Sequence, residues 1–102
     1  MRTVENLMKM DGRVFVYLKS EDAKYRFLAD AEAEGFTFRN LVKPADGPCS
    51  DLYVLNDDRT LNYAGAIGHM AFHYPKRNRS VKIIRIDYEK YASGQDDYIM
   101  EY

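Results

Sequence analysis

RVFVYLKSEDAKYRFLADAEAEGFTF, residues 13–38, reads as strand, helix and strand with both junctions marked, and the remaining chain must pack around it. Val14 to Leu18 is an almost unbroken run of apolar, β-branched and aromatic residues, which suits a central strand covered on both faces. Ser20 stands where an N-cap should. Its hydroxyl is free to accept from a backbone N–H one turn in, and Glu21 and Asp22 set negative charge against the positive end of the helix dipole. Ala23, Phe27, Leu28 and Ala31 recur at helical spacing as one apolar stripe, with Asp22, Asp30, Glu32 and Glu34 largely off it. Gly35 follows the last periodic residue, where a left-handed backbone costs glycine nothing, and Phe36 is placed to cover the final turn in a Schellman ending. Phe36 and Phe38 alternate with Thr37 and Arg39, so a second strand begins at once. A helix of this length suits a right-handed crossover between parallel neighbours, and the unit is β-α-β.

The 102 residues, 46% hydrophobic and 30% charged, fit one compact domain, residues 1–102, with a core large enough to need neither metal nor disulfide. The single cysteine, Cys49, excludes an internal disulfide framework and favours a reducing, cytoplasmic setting. The N-terminal MRTVENLMKMDG lacks the apolar run of a signal peptide, and no segment is long and apolar enough to span a membrane. A formal net charge of −1 excludes a globally basic nucleic-acid binder, so the distribution of charge matters more than its sum.

Working outward, Thr3 is placed to cap a short N-terminal helix. Val4, Leu7, Met8 and Met10 form its apolar side, and Asp11-Gly12 ends it. Beyond the central unit, Lys43 to Pro48 is a loop by its prolines and glycine. Leu52–Leu55 and Leu61–Ala64 flank the polar Asn56–Thr60 and predict a β-hairpin. Residues 65–74, GAIGHMAFHY, suit strand or tightly packed helix, with strand favoured. Pro75 to Ser80 is a basic turn, and Val81–Ile86 a strand with Ile84 and Ile86 on one side and Val81, Ile83 and Arg85 on the other. Asp87–Ala92 suits one helical turn ended by Ser93-Gly94, and the acidic tail Asp97–Tyr102 a short edge strand. Together these predict an α+β fold: a mixed, mainly antiparallel sheet, one principal helix packed on one face, and a short N-terminal helix.

Candidate chemistry is sparse. His69 and His73 share a side of either a helix or a strand, but the residues between them, Met-Ala-Phe, lack the glutamate of an H-E-x-x-H site, and no third ligand is placed by spacing. Cys49 has no local nucleophile signature. The reading is therefore a non-enzymatic protein with no catalytic residues, no metal and no cofactor. The strongest local signal is basic: Lys76, Arg77, Arg79, Lys82 and Arg85 cluster beside Tyr74, His73 and Tyr88. Cations beside aromatics are what phosphate contacts with base stacking require. Tyr74, Lys76, Arg77, Arg79, Lys82 and Arg85 are the candidate partner-binding set, read against the plainer alternative of a solvated turn paired with Asp87 and Glu89. Acids gather separately, at Asp22, Asp30, Glu32 and Glu34 and at Asp96, Asp97 and Glu101. If they merge in space they can imitate a nucleic acid before a basic channel. Nine tyrosines offer amphipathic contact area.

The stretches MRTVENLMKMDGRVFVYL, FLADAEAEGFTF, GAIGHMAFHY and IIRIDYEKY resemble short proteins carried by phages and mobile elements of gut bacteria. The resemblance spans most of the chain, rests on packing residues and transfers no catalytic residue. It implies an anti-CRISPR or other anti-defence inhibitor. The expected function is thus a binding protein that occludes another macromolecule, with a protein partner such as an RNA-guided nuclease or its nucleic-acid complex. The alternative is a small nucleotide- or nucleic-acid-binding module centred on residues 74–88.

Overall fold

The computed structural model describes residues 2–38, 43–44, 51–63 and 82–100. Its elements are α1 (Val4–Met8), β1 (Arg13–Tyr17), α2 (Glu21–Ala33), β2 (Thr37–Phe38), β3 (Leu52–Leu55), β4 (Thr60–Tyr63), β5 (Ile83–Asp87) and α3 (Tyr88–Ala92). They build a single α+β domain around a mixed five-stranded sheet.

The caps lie where the sequence places them. Thr3 accepts from the Asn6 N–H at 3.1 Å and Ser20 from the Ala23 N–H at 3.1 Å, each satisfying a donor of the first turn. α2 ends in a Schellman motif. Gly35 takes φ +85°, the Phe36 N–H donates to the Ala31 carbonyl at 2.9 Å, and Phe36 is buried. Asp87 caps α3 by accepting from the Lys90 N–H, and Gly94 ends it with φ +87°.

Strand order is β2-β4-β3-β1-β5. β1 pairs antiparallel with β3 and parallel with β5, β3 antiparallel with β4, and β4 parallel with β2. Hence β1, β2, β4 and β5 run one way and β3 the other. Here the expectation of a crossover between neighbours is corrected: β1 and β2 are parallel, but the β3–β4 hairpin is inserted between them. The four pairings also divide evenly between parallel and antiparallel.

Alternation along the strands separates two apolar layers. Val14, Val16, Tyr53, Leu55, Ile84 and Ile86 join Leu7 of α1, Phe27 and Ala31 of α2, and Tyr88 and Tyr91 of α3 in the main core. Phe15, Leu52, Val54 and Ile83 form a smaller cluster on the opposite face, with Tyr17 and Met100 against it. β1 is accordingly buried from Val14 to Val16, as an apolar run with neighbours on both sides requires.

The two ends of the chain are clasped together. Glu34, at the end of α2, accepts from the Val4 and Glu5 N–H groups at 2.8 and 2.9 Å, holding the first turn of α1 from thirty residues away. The Arg2 guanidinium donates to the Tyr91 and Gln95 carbonyls, pairs with Asp96 and lies 4.8 Å from the Tyr98 ring centroid. Tyr91 donates its hydroxyl to the Thr3 carbonyl at 2.7 Å. The segment so held then runs beside β5: the Asp87 N–H donates to the Tyr98 carbonyl, the Met100 N–H to the Arg85 carbonyl, and Ile99 forms an antiparallel bridge with Ile86.

Candidate interaction face beside the fifth strand

Of the six proposed partner-binding residues, Tyr74, Lys76, Arg77 and Arg79 lie outside the described residues, as do His69, His73 and Cys49. Lys82 and Arg85 are described, and their environments differ. Lys82 is exposed. Arg85 is 8% exposed, on the face that carries Phe15 and Ile83, with its guanidinium 3.5 Å from the Met100 carbonyl. Tyr88, expected to flank the basic segment as an aromatic, is instead a core residue. Its ring packs edge-on against Phe27 at 5.0 Å, and its hydroxyl donates to the Asp30 carboxylate at 2.6 Å. Burial, reinforced by that carboxylate, pushes the Tyr88 phenol far above its ordinary range. Base stacking on Tyr88 is therefore closed off.

Tyrosine as contact area is narrowed to some of the nine: Tyr25 is exposed and Tyr17 and Tyr98 are half-buried. Tyr53, Tyr88 and Tyr91 are buried. Among the described residues only Tyr25, at 67%, and Ile99, at 48%, are large apolar side chains left exposed. Several of the acids are engaged locally, while Asp22 and Glu32 are exposed and Glu101 lies outside the described residues. Asp30 serves Tyr88 and Arg26, Glu34 caps α1, Asp96 meets Arg2, and Asp97 meets Lys90 at 2.9 Å. That last hydrogen bond lowers the Asp97 carboxyl and raises the Lys90 ammonium. Asp87 pairs with Lys19, and Glu89 accepts from the Ser20 hydroxyl.

The largest apolar opening given by the described residues lies beside β5, next to the 98–100 segment that pairs with its outer edge. A groove of about 600 Å³ has Ile83 and Ile84 on one wall and Met10, Ile99 and Met100 around it, with Asp11, Lys82 and Arg85 as its polar groups. It takes side chains from both faces of β5 because it wraps the edge of the sheet. Gly12 makes the approach possible: a Cβ there would stand 2.7 Å from the Lys82 carbonyl oxygen, to which the next N–H, that of Arg13, donates at 2.7 Å. Arg13 is thereby fixed opposite Ile83, next to Lys82.

The cations here are unusual for this molecule. Arg2, Lys9, Lys19, Lys24, Arg26, Arg59 and Lys90 each pair with a carboxylate. Arg13, Lys43 and Lys82 have no such partner among the described residues. Of these three, Lys82 lines the groove, whereas the Arg13 guanidinium lies over the Phe15 ring, 5.9 Å from its centroid, outside the lining. Sequence reading finds Lys82 through the basic run but misses Met10 and Ile99, which are far apart in the chain; Met10 precedes β1, which pairs with β5, and Ile99 reaches β5 through its bridge to Ile86.

Among the described residues no group of three or more His, Cys, Asp or Glu side chains could hold a metal, and no helix is long and apolar enough to cross a membrane. Comparison with family models, with curated proteins and with solved structures finds no match.

Proposed function

We propose that this protein is a non-enzymatic binding protein that acts by docking on another macromolecule and occluding it, with the edge of β5 as its contact face. The supporting observation is the groove itself: an open apolar channel, a half-exposed Ile99, and the cation Lys82 without a carboxylate partner among the described residues. Contact sites in proteins combine an apolar centre with a charged rim in this way. The resemblance to phage and mobile-element proteins extends the reading to a target, a host defence complex such as an RNA-guided nuclease.

Pull-down and cleavage assays against a panel of purified nucleases test it. Wild type should bind one of them and slow its cleavage, and Ile99→Asp should weaken both effects about tenfold or more, because it sets a charge in the apolar centre of the contact. Failure to bind any defence protein would sink the nuclease reading. Full inhibition by folded Ile99→Asp would move the contact away from β5.

The rival reading, a nucleic-acid module centred on residues 74–88, keeps Lys82 but loses Tyr88 to the core. Its remaining candidates are Tyr74, Lys76, Arg77 and Arg79, and changing the three cations to glutamate tests them. If those cations touch phosphates directly, binding to naked DNA or RNA should weaken in the variant, and its log–log salt slope should flatten by about 0.7–0.9 for each phosphate no longer neutralised.

A further inference from the structure

We infer that the solvent face of α2 pairs with the same face of a second copy of this chain, the two helices antiparallel about a two-fold axis at Ala29. This pairing uses no residue of the β5 groove and is independent of the docking reading above.

α2 has two sides. Ala23, Phe27, Leu28 and Ala31 are buried, while Asp22, Tyr25, Arg26, Ala29, Glu32 and Ala33 are all exposed on the other. Ala29 is the middle of that outer face, with Tyr25 and Ala33 four residues before and after it and Arg26 and Glu32 three before and after. Tyr25 carries the most exposed large apolar side chain among the described residues. The two charges are not taken up by the fold. Arg26 meets Asp30 only through Nε, at 3.6 Å, an exposed contact that contributes little, and Glu32 has no ion-pair partner among the described residues.

The spacing makes this face complementary to itself. With about 3.6 residues per turn, positions four before and four after Ala29 lie about 6 Å along the axis in opposite directions and about 40° to opposite sides. Positions three before and three after lie about 4.5 Å along it and about 60° to opposite sides, in the contrary sense. A two-fold rotation through Ala29 exchanges both end and side. Tyr25 therefore lands on the partner's Ala33 and Arg26 beside the partner's Glu32, each contact made twice. A ring covers a methyl group, a cation meets an anion, and alanine against alanine at the centre lets the helix axes approach to about 8 Å. Parallel helices would instead put like charges at the same level and hold Tyr25 about two turns from the partner's Ala33. The acids Asp22 and Glu32 disfavour a nucleic acid on this face, and a second copy is the occupant whose charges the register matches. One pair of thirteen-residue helices is a small interface, so the dimer is weak, with a Kd of about 10–300 µM.

Sedimentation equilibrium of the full chain between about 5 µM and about 1 mM tests the pairing, with far-UV circular dichroism checking that each variant is folded. Wild type should pass from monomer to dimer across that range. Arg26→Glu and Glu32→Arg each set like charges in contact twice over, and each should weaken the dimer about tenfold or more, as should Tyr25→Ala. The double variant Arg26→Glu with Glu32→Arg exchanges the two signs and should restore affinity to within about threefold of wild type. A wild type that stays monomeric at about 1 mM overturns the proposal. So does dimerisation unchanged by all three single variants, and so does weakening by the single charge variants without rescue in the double. Ile99→Asp should leave the dimer intact, so failure of the β5 reading and failure of this one are told apart.

Discussion

Phe27 is fully buried, with its ring 5.7 Å from that of Tyr53 and 5.0 Å from that of Tyr88, so it ties α2 to β3 and α3 at once. Phe27→Ala removes that shared packing and should cost about 3–5 kcal/mol in chemical denaturation. A denaturation midpoint equal to wild type would contradict the register of α2. The Tyr88 hydroxyl, bonded to a carboxylate, makes a second residue-scale prediction: Tyr88→Phe should cost about 1–2 kcal/mol. The phenol also leaves a mark on pH dependence. Its pKa is raised in the folded protein above the unfolded value of about 10, so its contribution is complete below pH ~10 and is lost as pH rises beyond it. Wild-type stability should fall above that pH, and Tyr88→Phe should fall less steeply. At this scale much is legible in the sequence. The stripe Ala23, Phe27, Leu28 and Ala31 is buried throughout, because helical periodicity alone selects it. Tyr88 is the exception, since a tyrosine beside basic residues looks the same in sequence whether its ring faces solvent or the core.

Among elements, the junctions are legible and the partnerships are not. Ser20, Thr3 and Gly35 act within a few residues of themselves, so their chemistry is written locally. Glu34 reaches the first turn of α1, and the β3–β4 hairpin slots between β1 and β2, through contacts that no local pattern records. Both points can be measured. Glu34→Ala leaves two N–H donors of α1 unanswered and should cost about 1–2 kcal/mol, the scale of removing an N-cap, with faster amide exchange at Val4 and Glu5 than in wild type. Unchanged exchange there would show that α1 is held by Val4 and Leu7 alone. Gly12→Ala forces a methyl group against the Lys82 carbonyl at a φ of +149° and should cost about 1–3 kcal/mol. It should also loosen β5 from β1, read as faster exchange of the Arg13 amide.

Across the whole molecule, the 12.6 Å radius of gyration is that of a compact chain of this length, about 13 Å. The site is less legible than the fold for a physical reason. Its apolar walls come from residues 10, 83, 84, 99 and 100, gathered by a parallel pairing between strands seventy positions apart and by the bridge from Ile99 to Ile86, whereas the basic run that stands out in the sequence is contiguous. A net charge of −1 fits docking on a protein better than wrapping a polyanion. The most direct measurement is the anisotropy of labelled single- and double-stranded DNA and RNA titrated with the isolated protein between about 50 and 200 mM salt. Docking through the β5 groove predicts no saturable binding at any salt concentration. Saturable binding that weakens with a log–log slope of about −3 or steeper, as several phosphate contacts require, would contradict it.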